Sequence, residues 1–500
     1  MPTRLLRLHA DDDVAIALDA LPAGTATDGL VAAADVPRGH KIALRDLPAG
    51  APVHKYGHVI GVATQPIAAG QHVHTHNVGM PPHGSGASGG EPVAPPPVPA
   101  DLPRTFAGIV RPDGRIATRN YVAVLTTVNC SATVAKLIVR RTEDEIAALH
   151  PEEVDGVVAL THGTGCGMAD SGPGWDVLRR TLTGYARHPN IGGVVVVGLG
   201  CEVNEVAGLV DEIDVPVTSY TIQDAGGTAA AVDRGIELVR ATADRLRGTT
   251  RTPVGVEHLV LGLQCGGSDA WSALTANPAL GVASDYLVGL GGTSLLGETP
   301  EIYGAEQMLA ARAVDDGVRA RLLDRIAWWE RYTASQGTTL DGNPSPGNKA
   351  GGITTILEKS MGAVAKGGSS PLAEVIDYAA APSRSGLVFM DTPGYDPVSA
   401  TGMIAGGAHL IAFTTGRGSA FGSRPVPTVK LASNSDLARR MSGDIDLDCS
   451  GVVESGRPLT EVGAEIYRRL IAVASGERSV SEQLGVGGEE LVPWQVGAVL

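Results

Sequence analysis

The chain is short of three things. Aromatic residues make up only 4% of its 500 residues, cysteines number five, and 39 Lys and Arg stand against 54 Asp and Glu. A few cysteines, odd in number, exclude a disulfide framework, and the missing CxxC spacing excludes a zinc ribbon or a thioredoxin-like pair. A net charge of −15 excludes a general nucleic-acid binder, which needs a basic surface. It also means that an anionic substrate has to meet a local cation or metal. No apolar run approaches the ~20 residues of a membrane span, and MPTRLLRLHADDD lacks the apolar centre of a secretory signal. These absences describe a cytoplasmic protein with no nucleic-acid and no membrane partner.

Glycine, by contrast, is abundant at 66 residues, which suits the many tight strand-to-helix turns of an α/β fold. The clearest boundary is MPPHGSGASGGEPVAPPPVPADLP at 80–103, flexible in its Gly/Ser half and extended in its Pro-rich half. Residues 1–79 read as a small, mostly β module with short alternating strands. The module and its junction hold eight of the thirteen histidines: His9, His40, His54, His58, His72, His74, His76 and His83. From 104 to 292 apolar runs alternate with helical patterns, as in a Rossmann-like parallel sheet covered by helices. A further α/β unit is expected over 293–500. It opens with Thr299 as a helix cap and Pro300 at the first position, runs on as helix towards WWERY (328–332), and ends in a peripheral tail beyond about Ser475.

Four of the five cysteines share one setting. Cys130, Cys166, Cys201 and Cys265 each follow a strand-like run and sit in or beside a turn of small residues. In α/β proteins ligands bind beyond the carboxyl ends of the strands, so four soft side chains delivered there point to one site. A single free cysteine is more often a small buried hydrophobe; it is the shared setting that argues for function. THGTGCG adds His162 near Cys166, and GLGCE adds Glu202 beside Cys201, a donor mixture that suits iron or manganese. In QHVHTHN, strand alternation places His72, His74 and His76 on one face, able to bind a divalent metal or to carry protons. RGHKIAL offers His40 and Lys41. CGGSD (265–269) can form an anion-binding nest, and NPSPGNK (343–349) presents Asn343, Ser345, Asn348 and Lys349 on a proline-fixed turn. TTGRGS (414–419) presents Arg417, which can grip a carboxylate through two bonds.

RGHKIAL, YGHVIG, DGRIATRNY, GLGCE, CGGSDAWSALTANPALG, ETPEIYGAE, NPSPGNKAGGITT, EKSMGA and FTTGRGS together resemble the altronate/galactarate dehydratases, a family of sugar-acid hydro-lyases. The resemblance covers nearly the whole chain. It implies an N-terminal SAF (β-clip) module and metal-dependent dehydration of a sugar acid to the 2-keto-3-deoxy acid. GQHVHTHNV is similar to the altronate members; galactarate, another aldarate or aldonate, and sulfolactate (sulfite leaving) stay open as substrates. The implied cofactor is Fe2+, with Mn2+ or an iron–sulfur cluster as alternatives, and a homodimer is what the family suggests. On this footing Cys130, Cys166, Cys201, Cys265, His162 and Glu202 are expected around a metal. Ser268, Asp269, Asn343, Ser345, Asn348 and Arg417 are expected at the substrate. His40, Lys41, His72, His74 and Lys349 are expected to be catalytic, the module closing over the site from above.

Overall fold

The structure is a computed structural model that describes residues 5–81 and 93–497; His83 and most of the Gly/Ser tether lie outside them. The N-terminal module is built of short antiparallel strands, the principal ones being β1 (Val14–Ala17), β2 (Lys41–Ala43), β3 (Pro52–Lys55), β4 (His58–Ala63), β5 (His72–Val73) and β6 (Val78–Gly79). Strand β2 pairs with β1 and β5, and β4 with β3 and β6. Glycines at positive φ, Gly39, Gly57 and Gly70 among them, turn the chain between these strands.

A second unit is entered and left through one antiparallel pair, Thr105–Val110 against Thr252–Gly255. Between them lies a parallel sheet of β7 (Tyr121–Thr126), β8 (Gly156–Leu160), β9 (Ile191–Gly198) and β10 (Val217–Thr221), in the order β8-β7-β9-β10. Its strands are near-continuous apolar runs, such as VVVV in β9, because helices cover both faces. On one face α1 (Ala132–Leu149) buries Val134, Ile138, Thr142 and Ile146, the four-residue spacing of a core-facing helical stripe. It packs beside α3 (Thr228–Asp244), while α2 (Pro173–Arg187) faces the rest of the molecule.

The third unit is a seven-stranded parallel sheet. Its strands are β11 (Val260–Cys265), β12 (Thr293–Leu296), β13 (Leu372–Ile376), β14 (Gly386–Met390), β15 (Leu410–Thr415), β16 (Thr428–Ala432) and β17 (Leu447–Asp448), in the order β13-β14-β12-β11-β15-β16-β17. The expected boundary at 292/293 is therefore misplaced. Strand β11 hydrogen-bonds to β12 and β15 and belongs to this sheet, not to the Rossmann-like one. Periodicity shows that a strand is buried but not which sheet buries it.

Two further expectations change. Thr299 does not cap a long helix: its hydroxyl donates to Asp391, and residues 299–301 form a single 3-10 turn. After α4 (Ala276–Gly289), the long helix α5 (Asp316–Ser335) starts later than expected, where the Asp315 side chain accepts from the Val318 N–H. The tail is not peripheral, since Glu482 forms a two-bonded ion pair with the buried Arg119. The module is likewise no loose lid. Val53, Ile60 and Val73 share one apolar core with Leu261, Leu280 and Leu296 of the third unit.

Candidate active site between the module and the large sheet

A buried three-charge clasp positions the module. Between α5 and β13 in the chain lie α6 (Pro346–Ala350) and α7 (Ile356–Ala365), the latter capped by Thr355. Glu358 of α7 accepts from Lys41 Nζ at 3.0 and 2.9 Å and from Lys55 Nζ at 2.7 Å. All three side chains are at most 2% exposed. The Thr354 N–H and hydroxyl supply two more bonds to Glu358, and Lys41 also donates to the Gly352 carbonyl. Burial alone raises a carboxyl group, but the two ammonium groups overcome it and hold Glu358 far below the usual range. Burial pulls Lys41 down to about 8 against the attraction of Glu358. Lys41, expected to be catalytic, is thus a buried docking residue with its donors committed.

Three imidazoles of the module gather at its docked face. His40 Nε2 lies 3.3 Å from the Ala350 carbonyl, and His40 Nδ1 lies 3.0 Å from His72 Nε2. His74 completes the group, its ring centroid 4.9 Å from that of His40. One ring nitrogen from each of His40, His72 and His74 lies within 4.8 Å of the other two. Strand alternation is not what assembles them: β5 ends at Val73, and 74–77 form a turn in which Asn77 Oδ1 accepts from the His74 N–H. His76 is left outside, exposed, with its ring 5.4 Å from that of His72. Burial pushes His72 down to about 4 and His74 to about 3, and lowers His40, so all three are neutral at pH 7 with lone pairs to offer. His74 Nδ1 is buried without a hydrogen-bond partner among the described residues. Three neutral imidazoles with ring nitrogens this close, one of them carrying an unpartnered nitrogen, fit a divalent first-row metal.

The loops expected to bind substrate do meet here, though most of their side chains bind one another. Asn348 Nδ2 donates to the Ser268 carbonyl, and its Oδ1 accepts from the N–H and hydroxyl of Ser345, the helix cap. Asn343 lies between Glu301 and Lys359. Asp269 accepts from Ser272 N (2.9 Å), Ser272 Oγ (2.8 Å), Ser433 Oγ (2.8 Å) and Asn434 Nδ2 (2.9 Å). Asn343, Ser345, Asn348 and Asp269 are therefore anchors that hold these loops to one another. Lys349, the Arg417 side chain and the Ser268 hydroxyl remain, each without a side-chain partner among the described residues; Ser268 lines a narrow crevice with Cys265, Lys359 and Asn277. Asp269→Ala strands four buried donors at once and is expected to cost about 3 kcal/mol or more. A thermal scan checks this, and an unchanged midpoint would show that Asp269 is no anchor.

Cys265 has a different setting from the other three cysteines. It is buried at the end of β11, 2.9 Å from Lys366 Nζ and 3.7 Å from both Glu298 and Glu301. Lys366 pairs with Glu298 and Lys359 with Glu301. Each of these carboxylates thus has an ammonium partner, and Cys265, Glu298 and Glu301 offer donor atoms within 4.8 Å of one another. Burial pushes the Cys265 thiol up to about 12, which keeps it protonated and a poor ligand. Burial also raises Glu298 to about 7 and Asp396 to about 6, and Glu298 has a left-handed backbone (φ 67°). Convergence of all four cysteines is thus not what the fold shows, because β11 belongs to the other sheet.

Cys130, Cys166 and Cys201 sit just past the carboxyl ends of β7, β8 and β9. His162 and Glu202, expected as ligands beside them, are used to hold the loops. His162 Nε2 lies 3.1 Å from the Thr126 carbonyl, and its Nδ1 accepts from the Thr164 N–H. Glu202 accepts from Thr127 Oγ1 and from the Leu199, Gly200 and Cys201 N–H groups.

Sequence reasoning missed Lys55, Glu358, Glu298, Glu301, Lys359 and Lys366. A charged residue inside an otherwise apolar helix, as in ILEKSMGAVA, was the available signal, since such a charge must find a buried partner.

The three-part architecture has close relatives. The altronate/galactarate dehydratase SAF domain matches residues 3–81. The second domain of D-galactarate dehydratase/altronate hydrolase matches 108–247, and the D-galactarate/altronate dehydratase C-terminal domain matches 256–499. The chain belongs to this dehydratase family and is a hydro-lyase. It is 36% identical to the altronate dehydratase of Escherichia coli, covering 96% of each chain. It is also 36% identical to the galactarate dehydratase (L-threo-forming) of that organism, over 96% of this chain and 95% of the relative. The (2R)-sulfolactate sulfo-lyase subunit beta of Chromohalobacter salexigens is 33% identical over 76% of this chain and 95% of its own.

Proposed function

We propose that the protein dehydrates an altronate-type sugar acid to the 2-keto-3-deoxy acid, with Fe2+ or Mn2+ held by His40, His72 and His74. The observation that carries this reading is the neutral imidazole triad, with its orphaned His74 Nδ1, formed where the module meets α6. Bound there, the metal would act as a Lewis acid that offsets the negative charge built up when the C2 proton leaves beside a carboxylate.

The chain's own residues supply the rest. Lys349 follows Asn348 on α6 and directly precedes Ala350, whose carbonyl meets His40. As a cation without a counter-ion in a chain of net charge −15, it suits the substrate carboxylate. Arg417 offers a second grip and Ser268 a hydroxyl. His76, outside the triad but beside it, is placed to move a proton. Docking of the module over α6 excludes water from one side. All five cysteines are free, in keeping with a reducing cytoplasm, and no helix among the described residues is long and apolar enough to cross a membrane.

The test is incubation of the Fe2+-loaded enzyme with altronate, galactarate and sulfolactate, assaying 2-keto-3-deoxy product and sulfite. Altronate is expected to be turned over fastest. Faster galactarate turnover would reassign the substrate, and sulfite release without sugar-acid turnover would overturn the reading.

A further inference from the structure

We propose that Cys130, Cys166 and Cys201 hold an iron–sulfur cluster, a site separate from the imidazole triad. All three thiols are free and exposed, whereas Cys265 and Cys449 are buried. Their strands are neighbours in the order β8-β7-β9, parallel and in continuous register towards their carboxyl ends. The three loops therefore leave the sheet side by side, at strand spacings of about 5 Å.

The loops are also tied to one another. The Asn129 N–H donates to the Thr164 carbonyl, and Asn129 Nδ2 to that of His162, which joins the loop of Cys130 to that of Cys166. Thr127 Oγ1 donates to Glu202 and Asn204 Nδ2 to the Thr127 carbonyl, which joins the loop of Cys130 to that of Cys201. The Asn204 N–H donates to the Gly165 carbonyl and closes the ring. Gly165 lies so close to β7 that a Cβ there would stand 2.2 Å from the Thr127 carbonyl oxygen. Such cross-bracing exceeds what three surface connections need. It fixes three cysteines relative to one another.

The donor set selects the ligand. His162 and Glu202 are engaged in bonds within and between the loops, which leaves the thiols, and soft thiolates select zinc, Cu(I) or iron–sulfur groups. A single tetrahedral ion at metal–sulfur distances of about 2.3 Å needs its sulfurs about 4 Å apart. Among the described residues no set of three metal-ligating side chains that includes Cys130, Cys166 or Cys201 lies within 4.8 Å. An iron–sulfur cluster places each thiolate on a different iron and so accepts wider spacing. Gln223 Nε2 lies 3.6 Å from Cys201 Sγ, the kind of hydrogen bond to sulfur that tunes such clusters. A four-iron cluster held by these three thiols would have one iron without a cysteine ligand, able to take an oxygen donor.

The test is anaerobic reconstitution of the full chain with ferrous iron and sulfide. Acid-labile sulfide of about four per chain, visible charge-transfer absorption and an EPR signal on reduction are expected. Cys130→Ser, Cys166→Ser and Cys201→Ser should each lose that absorption while keeping the wild-type circular dichroism; Cys449→Ser should keep both. In the wild-type chain, the three thiols should alkylate readily before reconstitution and resist it afterwards. The proposal is overturned if no labile sulfide is incorporated while the thiols stay reactive. It is equally overturned if a Cys166→Ser chain retains the cluster, or if zinc alone protects all three thiols. Labile sulfide reports only on this site, so failure here leaves the imidazole triad and the dehydration reading untouched.

Discussion

Glu358→Ala is expected to destabilise the protein by about 3–5 kcal/mol, because it strands two ammonium groups in a dry interface. Lys41 and Lys55 are at most 1% exposed and have no other carboxylate partner among the described residues. Neither can reach water without parting the module from α7. Turnover is expected to vanish with docking, since His40, His72 and His74 all ride on the module. The triple replacement Lys41→Met, Lys55→Met, Glu358→Leu is expected to recover most of the lost stability, as buried ion groups exchanged for apolar ones often do. Wild-type unfolding temperature in Glu358→Ala would show that the clasp does not hold the module. The same clasp sets an acid limit. The Glu358 carboxyl lies below its unfolded value of about 4.3, so its contribution is fully present above about pH 5 and is lost as pH falls through the folded value. Acid unfolding should therefore begin later in the triple replacement than in the wild type.

His74→Ala is expected to lower turnover by more than about 100-fold with little loss of stability. The side chain has no partner at Nδ1 to lose, and the backbone turn that carries it is held by Asn77. A purely structural histidine at this place would behave in the opposite way, costing stability and sparing turnover. Metal content separates the two directly: the variant should retain less iron than the wild type after the same loading.

The three units were legible in the sequence because each announces itself locally. Short alternating strands with glycine turns mark the module, and valine-rich runs mark the parallel sheets. Strand pairing was not legible. β11 and β9 are both apolar runs that end in cysteine turns, and only the hydrogen bonds of β11 to β12 and β15 assign it to the larger sheet. For the same reason Cys265 was grouped with three cysteines that belong elsewhere. The histidines were legible as a cluster, though for a partly mistaken reason. Alternation pointed to His72, His74 and His76, whereas the fold exchanges His76 for His40 by pairing β2 with β5. Polar residues in glycine-rich loops looked available to a substrate, yet Asp269, Asn343 and Asn348 spend their hydrogen bonds holding the loops together. Sequence gives the donor; only packing shows whether a neighbour already uses it.

The central claim is that the docked module presents a three-imidazole metal site. Titration of the metal-free chain with Mn2+, followed by EPR, tests it most directly, because manganese needs no sulfide and reports on the triad alone. One tightly bound ion per chain is expected in the wild type, with that binding lost in His72→Ala and His74→Ala. Equal Mn2+ binding in the wild type and both variants would contradict the account.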